Sequence, residues 1–296
     1  MNDSDPWTIQ RLLTWTADYF KCHDSDSPRL DAEVLLSATL GCQRIDLYTR
    51  FDQIPAAPEV DRFRELVKRR ATGEPVAYLV QQKEFFALSF VVTPDVLIPR
   101  PETELVVVET LDRVRKHFPN AAVAIAEVGT GSGNIAIALA KHLPKARLVA
   151  TEISPRALDV AKKNAAALGV RERIDFVQGD LLQPIADRGP FDFVVSNPPY
   201  IGRAERNSLP DSVVKYEPEV ALFSTGEVGT EIIERLASEA IGALRPGGFL
   251  LLEISPLIAQ QVRAILEAQT GWSQIAIKKD LAGLDRIAIA QKSTDS

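Results

Sequence analysis

From residue 121 onward, short apolar runs alternate with segments of helical length, and this alternation limits the possible folds most strongly. The apolar runs cover 122–128, 147–153, 174–177, 191–195, 249–254, 275–278 and 287–290. Segments at 134–143, 155–169, 232–244 and 259–268 lie between them and repeat apolar residues at helical spacing. Strands that alternate with helices predict a mostly parallel sheet that is covered on both faces. We therefore predict a seven-stranded α/β domain over 101–296.

The first 100 residues have a different pattern of apolar residues. Three segments, at 7–23, 28–40 and 58–72, repeat apolar residues at helical spacing, and Gly41 follows the second as a helix-ending residue. Residues 77–80 and 85–92 are rich in β-forming residues, which predicts a hairpin. The chain is therefore predicted to consist of a helical bundle over 1–75, a β-hairpin linker over 76–100 and the α/β domain over 101–296.

Charge and composition exclude several classes of protein. Lys and Arg total 34 and Asp and Glu total 40, for a net charge of −6, which argues against stable nucleic-acid partners. No run approaches the roughly 18 apolar residues of a membrane span, and residues 1–5 do not begin a signal peptide. We expect a cytoplasmic protein with no membrane partner. Two cysteines and three scattered histidines also make a metal site unexpected.

A glycine-rich turn follows the first strand of the α/β domain. The acid Glu127 precedes the loop, which consists of Gly129, Thr130, Gly131, Ser132 and Gly133, and a helix is predicted next. Glycines at such a turn let the backbone bend sharply and approach a ligand without Cβ clashes. We predict that Glu127 and the five loop residues bind a cofactor. A tight strand-to-helix turn without a ligand is the alternative.

Acidic residues follow the next two strands. Glu152 ends the second strand, and Asp180 follows the third with Leu181 beside it. The carboxyl ends of parallel strands meet at the sheet edge where such folds bind ligands. At this edge Glu152 can accept hydrogen bonds from ribose hydroxyls, and Asp180 can accept one from an adenine amino group. The alternative for Glu152 is a structural role, in which its charge stabilises the N-terminus of the following helix. The loop has the spacing GxGxG and not the GxGxxG of NAD-binding loops. This spacing favours S-adenosylmethionine over NAD, because S-adenosylmethionine has no pyrophosphate for the loop to bind.

The most specific motif is Asn-Pro-Pro-Tyr at the end of the fourth strand. Pro198 and Pro199 fix the backbone and lack N–H donors, so carbonyl oxygens remain as acceptors, and Asn197 adds a side-chain carbonyl. Tyr200 offers a flat face to a planar group. These groups suit a substrate with a planar NH2 group. We therefore predict that all four residues bind the substrate and take part in catalysis. Asn197 is also predicted to contact the cofactor. The alternative is a rigid proline loop.

This motif resembles that of amino-directed S-adenosylmethionine methyltransferases. With the segments 73–78, 96–104 and 280–286, it makes the chain similar, from about residue 30 to 290, to the PrmC/HemK family of glutamine-N5 methyltransferases. The resemblance implies a Rossmann-like class I methyltransferase domain and S-adenosylmethionine as cofactor. It also implies that Leu181 covers the adenine and that Arg100 and Thr103 support the pocket.

The implied reaction is methylation of the glutamine side-chain amide in the Gly-Gly-Gln motif of bacterial peptide chain release factors. The release factor is then the expected partner, and the helical bundle over 1–75 the expected recognition domain. Other open functions are a glutamine methyltransferase for a ribosomal protein, an amino methyltransferase for nucleic acid, and a non-catalytic binding protein. Glu127 and Glu152 depart from the family, in which Asp is usual at both positions, and each adds one methylene.

Overall fold

The computed structural model describes residues 6–23, 25–119 and 121–294. Residues 1–5, which entered the signal-peptide expectation, lie outside the described residues. The chain divides into two compact units, one of Met1–Gln82 with Pro210–Tyr216 and one of Lys83–Leu209 with Glu217–Ser296. Among the described residues, no helix combines the length and the apolar character that crossing a membrane requires.

The first unit is helical around a small apolar core. Its helices before residue 82 are α1 (Ile9–Lys21), α2 (Pro28–Leu40), α3 (Arg44–Thr49), α4 (Ala57–Ala71) and α5 (Val76–Val80). The Thr8 side chain accepts a hydrogen bond from the Arg11 amide and caps α1, and Gly41 ends α2 with a left-handed φ of 63°. Leu13, Phe20 and Leu35 are fully buried in this core.

The hairpin prediction was wrong in its first strand. Residues 77–80 form α5 instead, and the backbone carbonyl of Pro75 accepts hydrogen bonds from the amides of Tyr78 and Leu79. A four-residue apolar run fits a strand and a buried helical turn equally well. The hairpin lies further along, as β1 (Gln82–Phe85) and β2 (Leu88–Val91). Phe86 and Ala87 form its turn with φ values of 51° and 56°, a conformation that the sequence does not signal because neither residue is glycine.

A seven-stranded sheet organises the second unit, which confirms the predicted fold class. The strands are β3 (Ala124–Val128), β4 (Arg147–Glu152), β5 (Ile174–Gln178), β6 (Phe191–Ser196), β7 (Leu244–Glu253), β8 (Trp272–Lys279) and β9 (Asp285–Lys292), in the spatial order β5-β4-β3-β6-β7-β9-β8. The first five strands are parallel to one another. Strand β9 runs antiparallel to both of its neighbours.

Helices cover both faces of this sheet. They are α6 (Glu104–His117), α7 (Asn134–His142), α8 (Pro155–Ala167), α11 (Glu231–Ala243) and α12 (Ala259–Ala268); the short helices α9 (Asp211–Tyr216) and α10 (Glu219–Leu222) lie between β6 and β7 in the chain. Apolar residues of α6, α7 and α8 share one core with the sheet, and those of α11 and α12 share the other. Alternate residues of each central strand enter the two cores, which explains why these strands are apolar throughout.

The chain changes direction across the sheet between β3 and β6. From β3 it moves outward through β4 and β5, and then it returns to pair β6 with the other side of β3. The Ser196 hydroxyl donates to the Val128 carbonyl at 2.7 Å and joins the ends of these two strands. A crevice opens at such a switch point because the following segments diverge. The glycine loop after β3 and the Asn-Pro-Pro-Tyr motif after β6 both start at this crevice.

Asn164 on α8 connects the hairpin to the glycine loop. Its Nδ2 donates to the carbonyls of Val91 and Ser132, each at 2.9 Å, and its Oδ1 accepts from the Val91 amide at 2.8 Å. The Asn164 side chain is almost completely buried. One buried amide group therefore satisfies three backbone groups, and its hydrogen bond to the Ser132 carbonyl is itself buried.

Replacement of Asn164 by Ala should lower the free energy of unfolding by about 2–4 kcal/mol, because it removes three hydrogen bonds and leaves the Ser132 carbonyl without its buried partner. Urea denaturation measures this change. Asn207→Ala, at an exposed position of the same unit, is the matched control and should change stability by less than about 0.5 kcal/mol. Equal effects of the two substitutions would contradict the role assigned to Asn164.

Candidate active site

A cavity of about 620 Å³ opens at the carboxyl ends of β3, β4 and β6. Thirteen of the residues selected from the sequence line it: Arg100, Thr103, Glu127, Gly129, Thr130, Gly131, Ser132, Glu152, Asp180, Leu181, Asn197, Pro198 and Pro199. Its volume lies in the usual range for small-molecule sites. Gly133 and Tyr200 are not among the lining residues.

Gly133 serves packing rather than contact with a ligand in the cavity. It has a φ of 84°, and a Cβ at this position would lie 2.9 Å from the Ile137 Cδ1 and 3.2 Å from the Ala161 Cβ. The first glycines of the loop differ: a Cβ on Gly129 or Gly131 would point into open space, at φ values of 70° and 54°. The loop thus exposes backbone toward the cavity at these two positions.

Glu127 contacts the glycine loop through one of its two carboxylate oxygens. Its Oε2 accepts hydrogen bonds from the Thr130 hydroxyl at 2.6 Å and from the Ala136 amide at 3.0 Å. Its Oε1 is buried and has no hydrogen-bond partner within the described part of the chain. Burial raises the pKa of this carboxyl to about 8, against the opposing hydrogen bonds of Thr130 and Ala136. An unpartnered buried oxygen at a cavity wall fits a cationic donor such as an ammonium group.

Glu152 connects the end of β4 to the glycine loop. Its Oε2 accepts from the Gly131 amide and its Oε1 from the Ser154 amide, both at 2.9 Å. Burial raises the pKa of the Glu152 carboxyl, and the backbone hydrogen bonds act in the opposite direction. Each carboxylate oxygen has a second lone pair to accept a further hydrogen bond, as two ribose hydroxyls would require.

Asp180 has a partner that sequence reasoning missed. Arg235 on α11 donates to its Oδ2 at 2.6 Å, and both side chains are partly exposed. An adenine amino group would have to share this carboxylate with the guanidinium group. Arg235 is 55 residues away in the chain, and its position on a helix carries no motif that could have identified it.

Two buried carboxylates, also missed, hold the residues around the Asn-Pro-Pro-Tyr motif. The Tyr200 hydroxyl donates to the Oε1 of Glu253 at 3.1 Å, and burial beside this carboxylate raises the pKa of Tyr200. Glu217 forms an ion pair with Arg100 and accepts a hydrogen bond from the Ile98 amide at 3.2 Å. The Asn197 Nδ2 donates to the Thr103 hydroxyl at 3.1 Å. Arg100 and Thr103 thus lie where a supporting role requires them.

Similarity to known proteins covers nearly the whole chain. Residues 11–80 match the family model described as the PrmC N-terminal domain, and residues 107–228 match that of the methyltransferase small domain. The chain is 46% identical to a release factor glutamine methyltransferase of Rhodopirellula baltica, over 99% of this chain and 98% of that protein. It is 41% identical to a protein of the same name from Geobacter sulfurreducens, over 95% of each chain.

A solved structure supports the fold of the chain. A methyltransferase from Pyrococcus furiosus matches with a TM-score of 0.50 and 21% identity, over 76% of this chain and 97% of that chain. At this identity the match supports the fold alone.

Glu127→Gln should change how stability depends on pH. Because the pKa of Glu127 is about 8 in the folded protein and near 4.5 otherwise, the folded state binds more protons between these values. The free energy of unfolding of the wild-type protein therefore falls as pH rises through this window. A glutamine side chain cannot titrate, so the variant should gain on the order of 4 kcal/mol over the wild type between pH 5 and pH 8.

Urea denaturation of the ligand-free proteins at both pH values measures this gain. The control is Glu267→Gln, at an exposed position on α12, which should follow the wild-type curve. If Glu127→Gln also followed that curve, the raised pKa of Glu127 would be refuted.

Proposed function

The chain belongs to the release factor glutamine methyltransferase family, and from this premise we propose that it methylates the glutamine of the Gly-Gly-Gln motif in a bacterial peptide chain release factor. The methyl donor is S-adenosylmethionine, and the acceptor is the side-chain amide nitrogen. One observation carries the proposal: Asn197, Pro198 and Pro199 line the same cavity as the glycine loop. The acceptors for an NH2 group and the site for a nucleoside cofactor therefore meet.

Residues of the cavity wall suit both the methionine end and the adenosine end of S-adenosylmethionine. We assign the free Oε1 of Glu127 to the amino group of its methionine part and the exposed backbone at Gly129 and Gly131 to close contact with the cofactor. Glu152 is assigned to the ribose hydroxyls, and Asp180 with Leu181 to the adenine. When bound, the cofactor supplies a methyl group on a positively charged sulfur, which makes that methyl electrophilic.

The substrate nitrogen presents the chemical difficulty. An amide nitrogen is a weak nucleophile because its lone pair is delocalised into the carbonyl. We propose that the Asn197 side-chain carbonyl and the Pro198 backbone carbonyl accept the two amide hydrogens and orient the nitrogen toward the methyl group. Orientation of this kind contributes up to about 7–11 kcal/mol to catalysis. The substrate needs no base, since the amide proton becomes acidic on alkylation and leaves to water.

Residues 1–75 are proposed to recognise the release factor, residues 76–100 to act as linker, and residues 101–296 to carry the reaction. The match of residues 11–80 to the PrmC N-terminal domain supports a dedicated function for the helical part. A cytoplasmic site of action follows from the proposed substrate, because translation termination takes place there.

The direct test is incubation with S-adenosylmethionine and a purified bacterial release factor, followed by digestion and tandem mass spectrometry of the Gly-Gly-Gln peptide. We expect one added methyl group on the glutamine. A release factor with Gly-Gly-Asn in place of Gly-Gly-Gln is the control and should remain unmodified. An unmodified glutamine despite measured cofactor binding would contradict the proposal and direct the search to ribosomal proteins and then nucleic acid.

Asn197→Ala should lower kcat by about 100-fold or more, because loss of an oriented hydrogen-bonding group at a reacting centre costs roughly 3 kcal/mol. The dissociation constant of S-adenosylmethionine, measured by calorimetry, should change less than about threefold. Asn207→Ala serves as the matched control. Equal losses in turnover and in cofactor binding would show that Asn197 does not act on the substrate.

A further inference from the structure

The turn that follows β5 has a conformation that residues with a side chain rarely adopt. Leu181 has a φ of 48°, in the left-handed region, and such a residue persists only where its surroundings hold it. The residues on either side of it, Asp180 and Leu182, both accept or donate hydrogen bonds to α11. Asp180 and Leu181 line the cavity. The contacts with α11 therefore determine which groups this turn presents to a ligand.

Two charged residues of α11, one helical turn apart, make these contacts. The Glu239 Oε2 accepts a hydrogen bond from the Leu182 amide at 3.0 Å. The Arg235 Nη2 donates to the Asp180 Oδ2 at 2.6 Å and lies 3.9 Å from the Glu239 Oε1. Arg235 thus pairs with both acids. Helix α11 holds the turn through a backbone amide and through the side chain of Asp180.

The pair of Arg235 and Asp180 lies at the cavity and not in the core. Their side chains are 44% and 41% exposed, and ion pairs with this exposure contribute little to the stability of a fold. Both residues line the cavity. The position of the pair indicates a role in ligand binding rather than in folding.

One contact with a guanidinium group leaves Asp180 able to accept from a ligand. Each carboxylate oxygen has two lone pairs, so the bond to Arg235 uses only part of the acceptor capacity. Because this bond holds one oxygen, it also fixes the direction in which the other oxygen points. A fixed acceptor distinguishes ligands by their donors. The exocyclic amino group of adenine can donate to it, whereas hypoxanthine has a carbonyl oxygen in that place and cannot.

We propose that Arg235 is a positioning residue, which holds the Asp180 carboxylate as a fixed acceptor for the adenine amino group and so gives the site a preference for adenine over hypoxanthine. This inference rests on the proposed function, which assigns Asp180 to the adenine of S-adenosylmethionine. Arg235 acts through Asp180. Its removal therefore weakens the binding of a ligand that donates to this carboxylate and leaves other ligands unaffected.

The test is calorimetric binding of S-adenosylhomocysteine and S-inosylhomocysteine to the wild-type protein and to Arg235→Met. The two ligands differ along one edge of the base, and neither carries a methyl group to transfer, so the measurement is independent of turnover. The wild-type protein should bind the adenosyl ligand at least about tenfold more tightly, because the inosyl ligand places an acceptor against the carboxylate. Arg235→Met should weaken the adenosyl ligand about fivefold and the inosyl ligand less than about twofold.

Three further variants separate this role from a general one. Arg263→Met, which breaks an exposed ion pair with Glu267 on α12, is the matched control and should bind both ligands as the wild type does. Arg235→Lys keeps a charged donor and should recover part of the preference for adenine. In an Asp180→Asn background, Arg235→Met should have no further effect on the adenosyl ligand, because both changes act on the same hydrogen bond.

Three results would overturn the positioning role: equal binding of the two ligands by the wild-type protein, equal weakening of both by Arg235→Met, or unchanged or tighter binding of the adenosyl ligand by that variant. Equal weakening would show that Arg235 supports the cavity as a whole. The proposed function would survive each of these results, since it fails only if the wild-type protein leaves the release-factor glutamine unmethylated.

Discussion

The pairing of β3 with β6 is the constraint on which the rest of the structure depends. It places the glycine loop and the Asn-Pro-Pro-Tyr motif at one crevice, although the joined ends of their strands are 68 residues apart in the chain. The Ser196 hydroxyl on the Val128 carbonyl fixes the two strand ends together. A shift of one residue in this register would turn the side chains of β6 to the opposite faces of the sheet and separate the two motifs.

Buried acids at the carboxyl ends of the strands supply the polar chemistry of the site. Glu127, Glu152 and Glu253 all have raised pKa values because burial disfavours their charge. Backbone amides and hydroxyls offset part of this cost, as they do for other buried acids. The acids differ in what they contact: Glu127 is proposed to bind a cationic ligand group, Glu152 accepts from the glycine loop and is proposed to bind the ribose, and Glu253 accepts a hydrogen bond from the Tyr200 hydroxyl. Burial of these acids lowers the stability of the fold, but it provides hydrogen-bond acceptors that point in fixed directions at the site.

The sequence predicts elements with strong periodicity and motifs that lie at strand ends. The seven strands and the crevice follow from this, because parallel strands must bring their carboxyl ends together. Residues 77–80 were misassigned because a short apolar run does not determine its own structure. Arg235, Glu217 and Glu253 were missed as partners since ion pairs and hydrogen bonds between distant residues leave no local pattern. Gly133 was predicted to bind the cofactor, but it does not line the cavity, and the space beside it is filled by Ile137 and Ala161.

The central claim is that this site works by orienting an amide nitrogen and not by removing its proton first. The most direct measurement is the rate constant of methyl transfer in a single turnover, at saturating cofactor and release factor, between pH 7 and pH 9.5. Orientation alone predicts a rate constant that stays constant within about twofold over this range. A rate constant that rises tenfold per pH unit would show that a base must take the proton before transfer, and it would contradict the orientation mechanism.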